Sequence, residues 1–291
     1  MSVLVPEEIS LLVSSDPLAG ATNINATGSQ FTVLLEEGIK VPSDALNVNL
    51  RLEEATVWWV TPNISASLGN NKLYITEGAT PYVITIPDGL YDVIDLNTAI
   101  ARELETAGAT VSPQPLIVIS ADDATQKVIM DFEYNNVSVD FTQTDTFREI
   151  LGFDSQVLGP YPTAPISILA DNTAAFNTIE SFLFHTNLTQ KGIRINNSYS
   201  QTLGQIIIDV PPGSQITSSP RHPARVSAQD LAGQIKTSLK FWLTDQENNL
   251  VDTVGEYFTG RIVIEWLQPF ITTHSITGNP HDGTRPHPRN R

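Results

Sequence analysis

Between Gln234 and Trp266 the chain carries a pattern that admits few folds. Ile235, Thr237, Leu239, Phe241 and Leu243 alternate with Lys236, Ser238, Lys240, Trp242 and Thr244. A polar turn, Asp245-Gln246-Glu247-Asn248-Asn249, separates this run from a second one. There Phe258, Gly260, Ile262, Ile264 and Trp266 share a face, while Thr259, Arg261 and Glu265 look away. A period of two sustained over such lengths marks half-buried antiparallel strands. Strands this apolar on one face need a second sheet to cover them. The rest of the chain has to supply it.

Upstream, Ile9 to Val13 reads as a short strand, and Phe31, Val33 and Leu35 begin another that ends at Gly38. Asn47 to Val60 is the longest candidate. Val48, Leu50 and Leu52 share one face, but Ala55, Val57 and Trp59 continue in odd register. One extra residue in a strand flips its inward face, so the slip at Glu53-Glu54 predicts a β-bulge. After an interruption, strand signals resume at Ile179 to Asn187, Ile193 to Asn196 and Leu203 to Val210, with proline turns at 211–213 and 220–223.

The interruption has its own character. Leu73 to Ile75 and Tyr82 to Ile86 make short strands, and a helix is expected from Asp95 as N-cap, with Leu96, Ile100 and Leu104 on one face and Gly108 past its end. Leu116 to Ile119 and Lys127 to Tyr134 form a hairpin across Asp122-Asp123-Ala124-Thr125, followed by a strand at Val137 to Phe141. A second helix is expected where Thr146 and Glu149 have capping-box spacing and Gly152 stops the run. The expected organisation is therefore a first sandwich half with an N-terminal arm over 1–62, an inserted α/β unit over 63–160, a second half over 161–270, and a tail over 271–291. About eight sandwich strands on either side of an insertion is the count of a jelly roll. The expected fold class is mainly β: a single jelly-roll sandwich carrying a small α/β insertion.

Charge narrows the functions. The chain has 32 acidic and 16 basic side chains, a net −16. Residues 1–190 hold 24 acidic and 6 basic groups (−18), whereas residues 191–291 hold 8 and 10 (+2); the insertion alone is at −10. Phosphates would be repelled by such a balance, so nucleic acid is not an expected partner. The absence of cysteine excludes disulfides and thiolate metal sites. No window approaches a membrane-spanning apolar run, and no basic stretch precedes an apolar core at the start, so no signal peptide is expected.

No nucleophile elbow, P-loop, dinucleotide glycine pattern or His-Glu-X-X-His motif occurs. His185 sits in an alternating strand and is expected to be hydrogen-bonded there. Asp122-Asp123 occupies a turn, where Asp bonds its own backbone, and Asp92 and Asp95 suit a helix start. We expect no enzyme activity, no cofactor, no metal and no small-molecule substrate. Adjacent Trp58 and Trp59 must face opposite ways, and an exposed aromatic could stack on sugars, which makes a carbohydrate-binding or host-attachment module the rival reading. The candidate contact residues lie in the proline-rich C-terminal segment: His281, Arg285, His287, Arg289 and Arg291 are the basic cluster of an acidic chain.

Three runs carry a resemblance: Ile86-Pro-Asp-Gly-Leu-Tyr-Asp to Ile100 with Phe147-Arg-Glu-Ile-Leu-Gly-Phe153; Ser200-Gln-Thr-Leu-Gly to Gly213; and Leu239-Lys-Phe-Trp-Leu-Thr-Asp245 with Tyr257 to Glu265. Together they resemble the single jelly-roll major capsid proteins of tailless, membrane-containing icosahedral phages, in particular the larger major capsid protein of the Thermus-infecting type. The resemblance implies a virion structural protein made in the host cytoplasm, with the insertion standing out as a turret. It also implies other capsid subunits as partners, among them a smaller jelly-roll protein, and a lipid membrane beneath the shell. Vertex (penton) proteins share the fold and remain the alternative position.

Overall fold

The outer four strand pairings of the molecule nest inside one another. In the computed structural model, which describes residues 2–271 apart from 110–111 and 196–197, eight main strands build the sandwich, and the two-residue strands Ala21–Thr22 and Val226–Ser227 add one to each sheet. The eight are β1 (Ser2–Ser14), β2 (Gln30–Lys40), β3 (Leu46–Trp58), β4 (Ser181–Thr186), β5 (Thr202–Ile207), β6 (Gln215–Ser218), β7 (Ile235–Thr244) and β8 (Thr259–Ile271). The first pairs with the last, the second with the seventh, the third with the sixth and the fourth with the fifth, all antiparallel. The sheets that result run β1-β8-β3-β6 and β5-β4-β7-β2. A long antiparallel ribbon rolled over on itself gives this order, and it is that of a jelly roll.

The alternation read in the sequence places the core. Leu239, Phe241 and Leu243 of β7 and Ile262, Ile264 and Trp266 of β8 are buried. Phe31, Phe184, Phe241 and Phe258 cluster between the sheets, with Phe31–Phe258 centroids 5.2 Å apart at 69° and Phe184–Phe258 6.0 Å apart at 83°. Edge-to-face rings at such spacings are favourable beyond the area they bury. Gly260 makes this packing fit: a Cβ there would stand 2.6 Å from the Phe184 ring. The bulge expected in β3 is present. Arg261 of β8 faces Glu54 and Ile262 faces Leu52, which leaves Glu53 unopposed. Two features went unread. β1 is 13 residues long rather than five, because the whole run from Ser2 ladders onto β8. Val263, on the outward face of β8, is buried all the same.

A second, separate core belongs to the insertion, around Leu73, Ile75, Leu96, Ile100, Phe132 and Phe141. One sheet orders Val157–Leu158, Val137–Asp140, Lys72–Glu77 and Thr80–Thr85; another orders Ile166–Leu169, Lys127–Phe132 and Ile117–Asp122. Helix α1 (Val93–Thr106) buries Leu96, Ala99, Ile100 and Leu104. Its N-cap is Asp92 rather than Asp95, because the Asp92 carboxylate accepts the Asp95 N–H at 2.8 Å and so satisfies an end donor. Gly108 follows the C-cap with φ +78°, as expected. Helix α2 (Arg148–Leu151) starts at Phe147 without a side-chain cap, and Thr146 donates its hydroxyl back to the Gln143 carbonyl instead.

The expected resumption of the sandwich at 161 differs from the packing. Tyr161 stacks edge-on against Phe132 at 5.0 Å. Ile166 and Ile168 lie on the second core, and Phe176 packs there too. The proline-rich stretch thus lies within the insertion, and the chain rejoins the first core at Ile179. Asn63 ties the two connections together. Buried, it donates to the carbonyls of Tyr91 and Phe176 and accepts from the Tyr91 N–H, all within 2.8–2.9 Å.

Antiparallel alternation also sorts the loops. Those joining β1–β2, β3–β4, β5–β6 and β7–β8 meet at one end, where Ser15 bonds Phe258, Thr253 bonds Thr27 and Trp59 bonds Ser214. The insertion is the β3–β4 connection and belongs to that end. β1 starts and β8 finishes at the opposite end, near Asp44, which accepts a hydrogen bond from Gln268.

Candidate functional surfaces

His185 is buried on β4 between two hydroxyls: Nε2 lies 2.8 Å from Thr244 Oγ1 and Nδ1 3.1 Å from Thr202 Oγ1. Its ring stacks on Trp242 at 5.2 Å and 3°. Burial lowers its pKa to about 4, so it is neutral near pH 7, and no carboxylate orients it. A general base needs a partner that tunes it and a reachable substrate proton; His185 has packing partners instead. The strand-histidine expectation holds.

The acidic candidates are local as well. Asp122 accepts the Thr125 hydroxyl at 2.6 Å and the Ala124 N–H within its turn. Asp88 accepts the Ala66 N–H at 2.8 Å, and Asp92 caps α1. No group of three or more His, Cys, Asp or Glu placed to hold a metal ion occurs among the described residues. Of the tryptophans, Trp59 and Trp266 are buried in the sandwich core, Trp58 is half-buried, and Trp242 carries His185 on its ring with Lys240 Nζ 5.6 Å from the centroid. His281, Arg285, His287, Arg289 and Arg291 lie outside the described residues.

The most developed polar surface was not read from the sequence. On the outward face of the β1-β8-β3 sheet, Glu8 lies directly opposite Glu265, which lies opposite Asn49. Like charges opposed across strands destabilise a ladder. Arg51, one register step away, resolves the conflict. Its guanidinium bonds Glu265, lies 2.9 Å from Glu53 and 3.3 Å from Glu8, and is only 15% exposed. Burial alone would lower the Arg51 pKa, but the Glu53 hydrogen bond and the charges of Glu265, Glu53 and Glu8 raise it. Arg225 adds a contact to Glu265 at 2.5 Å. Beside this network lies a cleft of about 500 Å³ lined by Pro6, Glu7, Glu8, Asn49, Arg225 and Leu267, among others. A cross-strand network built from positions 43 and 214 residues apart has no local signature; only the same-face pair Arg51 and Glu53 could have hinted at it.

No protein-family model matches the chain, and no curated protein sequence does. Among solved structures, the crystal structure of the mavirus penton protein is similar over 89% of this chain and 100% of that one, at 12% identity and a TM-score of 0.48. A chain in the cryo-EM structure of the Sputnik virophage is similar over 89% and 97% respectively, at 14% identity and a TM-score of 0.37.

Proposed function

We propose that this protein is a virion structural protein, a major capsid subunit of an icosahedral shell built over an internal lipid membrane together with a smaller jelly-roll partner. The observation that carries the reading is the nested strand order with a large insertion at one end and the finish of β8 at the other. Jelly rolls of two packed sheets serve in viral capsids and in lectins, and a fold by itself selects no function. The polarity favours the capsid. A shell subunit has one end toward solvent and one toward the interior, and here the loop end bears the insertion, whose residues 63–177 carry a net charge of −11. The basic segment follows β8 at the other end. Acidic outward surfaces keep particles apart, and arginines beneath them suit anionic lipid or an acidic neighbour, at about 1 kcal/mol for each arginine at a membrane.

The vertex position is the alternative within the same shell. A carbohydrate-binding role is less well supported, because the Trp242 ring is already stacked on His185 and is not a free platform for a sugar. Electron microscopy of the purified protein, alone and with anionic vesicles, tests the proposal. Capsomers, curved sheets or decorated vesicles are expected. Protein that stays monomeric and off the vesicles at every concentration and salt tried would overturn it.

A further inference from the structure

A second cleft, of about 460 Å³, lies where the insertion meets the loop end of the sandwich. One wall is the insertion's Ser65, Ser67 and Leu68. The other is the β7–β8 connection, with Asp245, Glu247, Leu250 and Asp252. Thr61, Pro62 and Thr178 line it too, and they belong to the two connections between the bodies. The walls therefore meet at the residues that join them. Hydrogen bonds bracket both connections. On the insertion side Asn63 grips Tyr91 and Phe176. On the sandwich side Trp59 donates to Ser214 and accepts from Gly213. The Gln246 side chain donates to the Thr178 carbonyl at 2.9 Å and accepts the Glu180 N–H at 3.2 Å. Between these brackets lie Val60, Thr61 and Pro62 on one connection and Asn177 on the other, none of them in a helix or strand. Short stretches of this kind between two packed bodies are where hinge motions put their backbone changes.

The walls also show what favours and what opposes closure. Leu68 is 58% exposed and Leu250 51% exposed, one on each side, so bringing the walls together removes apolar surface from water on both. Against this, Asp245, Glu247 and Asp252 on the sandwich wall face an insertion whose residues 63–177 sum to −11. No lysine or arginine lines the cleft among the described residues. Exposed like charges repel over about 10 Å at 0.1 M salt and over much less at higher salt. The apolar gain has no such dependence, so ionic strength decides between the two positions.

We propose that the insertion is a hinged body: it turns about residues 60–62 and 177 and closes this cleft, Leu68 onto Leu250, when the repulsion across it is screened. The motion needs no shell, so it is tested on the isolated full-length chain and its failure leaves the capsid reading untouched. The chain has no cysteine, so pairs of introduced thiols carry spin labels at chosen places only. Distances would be measured by pulsed electron paramagnetic resonance for Ser67→Cys with Asn249→Cys, Ala79→Cys with Asn249→Cys, and Ser67→Cys with Ala79→Cys. At low salt each pair should give one distance. In high salt a shorter population should appear for 67–249, a shifted one for 79–249, and no change for 67–79, which lies within the insertion. Leu68→Glu adds a carboxylate to the cleft and should remove the shorter population at every salt concentration while leaving the melting temperature unchanged. Three results would each overturn the proposal: a 67–249 distance indifferent to salt, a 67–79 distance that changes with it (the loop around Leu68 moving alone), or a short population that survives Leu68→Glu.

Discussion

His185 shows how one buried side chain ties the sandwich to pH. Its pKa falls from an ordinary 6.5 to about 4 because burial disfavours the imidazolium. Between those values the unfolded chain binds the proton and the folded one does not, so stability is fully present above pH 6.5 and is lost as pH falls toward 4. The full difference is worth about 3 kcal/mol. Urea titrations of the wild type should lose stability across that window, and His185→Gln should flatten the slope there; an unchanged slope would place the loss elsewhere. Asp145 moves in the same sense for the insertion. The Lys72 hydrogen bond holds its pKa below the usual carboxylate range, so its contribution persists down to lower pH and then disappears. Gly260 is the least replaceable backbone position of β8, since Gly260→Ala drives a methyl group into the Phe184 ring.

The strands of the sandwich differ in how much their sequence reveals. In β7 burial follows the alternation from Leu239 to Leu243, and in β8 from Phe258 to Ile262; Ile235 and Thr237, expected on the inward face, are exposed because the ladder to β2 shifts register between Lys236 and Ser238, and Thr244 is buried on the other face. Ile264→Ala and Phe241→Ala should each cost about 2–5 kcal/mol by thermal or urea unfolding. Arg261→Ala should stay within about 1 kcal/mol, because its half-exposed guanidinium is 4.0 Å from Glu54. Equal losses at Arg261 and Ile264 would mean that both faces are buried. Val263, outward yet buried, marks where this simple division stops, and its neighbour across the sheet is Arg51. The short elements were harder to read. β6 has four residues and Ile166–Leu169 has four, too few for a period to stand out among turn residues. The cap of α1 was ambiguous because Asp92 and Asp95 both precede the apolar face, and only the geometry of the first turn selects between them. The Arg51 network was illegible for another reason: its members meet only once β1, β3 and β8 are in register.

At the scale of the whole molecule, two hydrophobic cores and two ends define what the chain can do. The second core runs from Ile64 to Phe176 and shares no residue with the sandwich core, onto which the insertion lends only the half-buried Leu90 among the described residues. We therefore expect that removing 63–177 and joining Pro62 to Thr178 through a short glycine linker leaves a folded β sandwich. Circular dichroism showing an unfolded remainder would refute this. Ending the deletion at 163 instead would leave Ile166–Leu169 without its partner strand Lys127–Phe132 and should promote aggregation. The proposed capsid role requires an orientation in which the insertion faces outward from a shell and the end of the chain faces in. The absence of cysteine makes it directly measurable, since a single introduced thiol is a unique label. Assembled particles of Ala79→Cys, at the exposed turn after the Lys72–Glu77 strand, and of Arg291→Cys would be treated with a thiol-reactive gold cluster and imaged. With the insertion outward, intact particles should be labelled at position 79, and at position 291 only after they are opened. Label at 291 and none at 79 on intact particles would contradict that orientation.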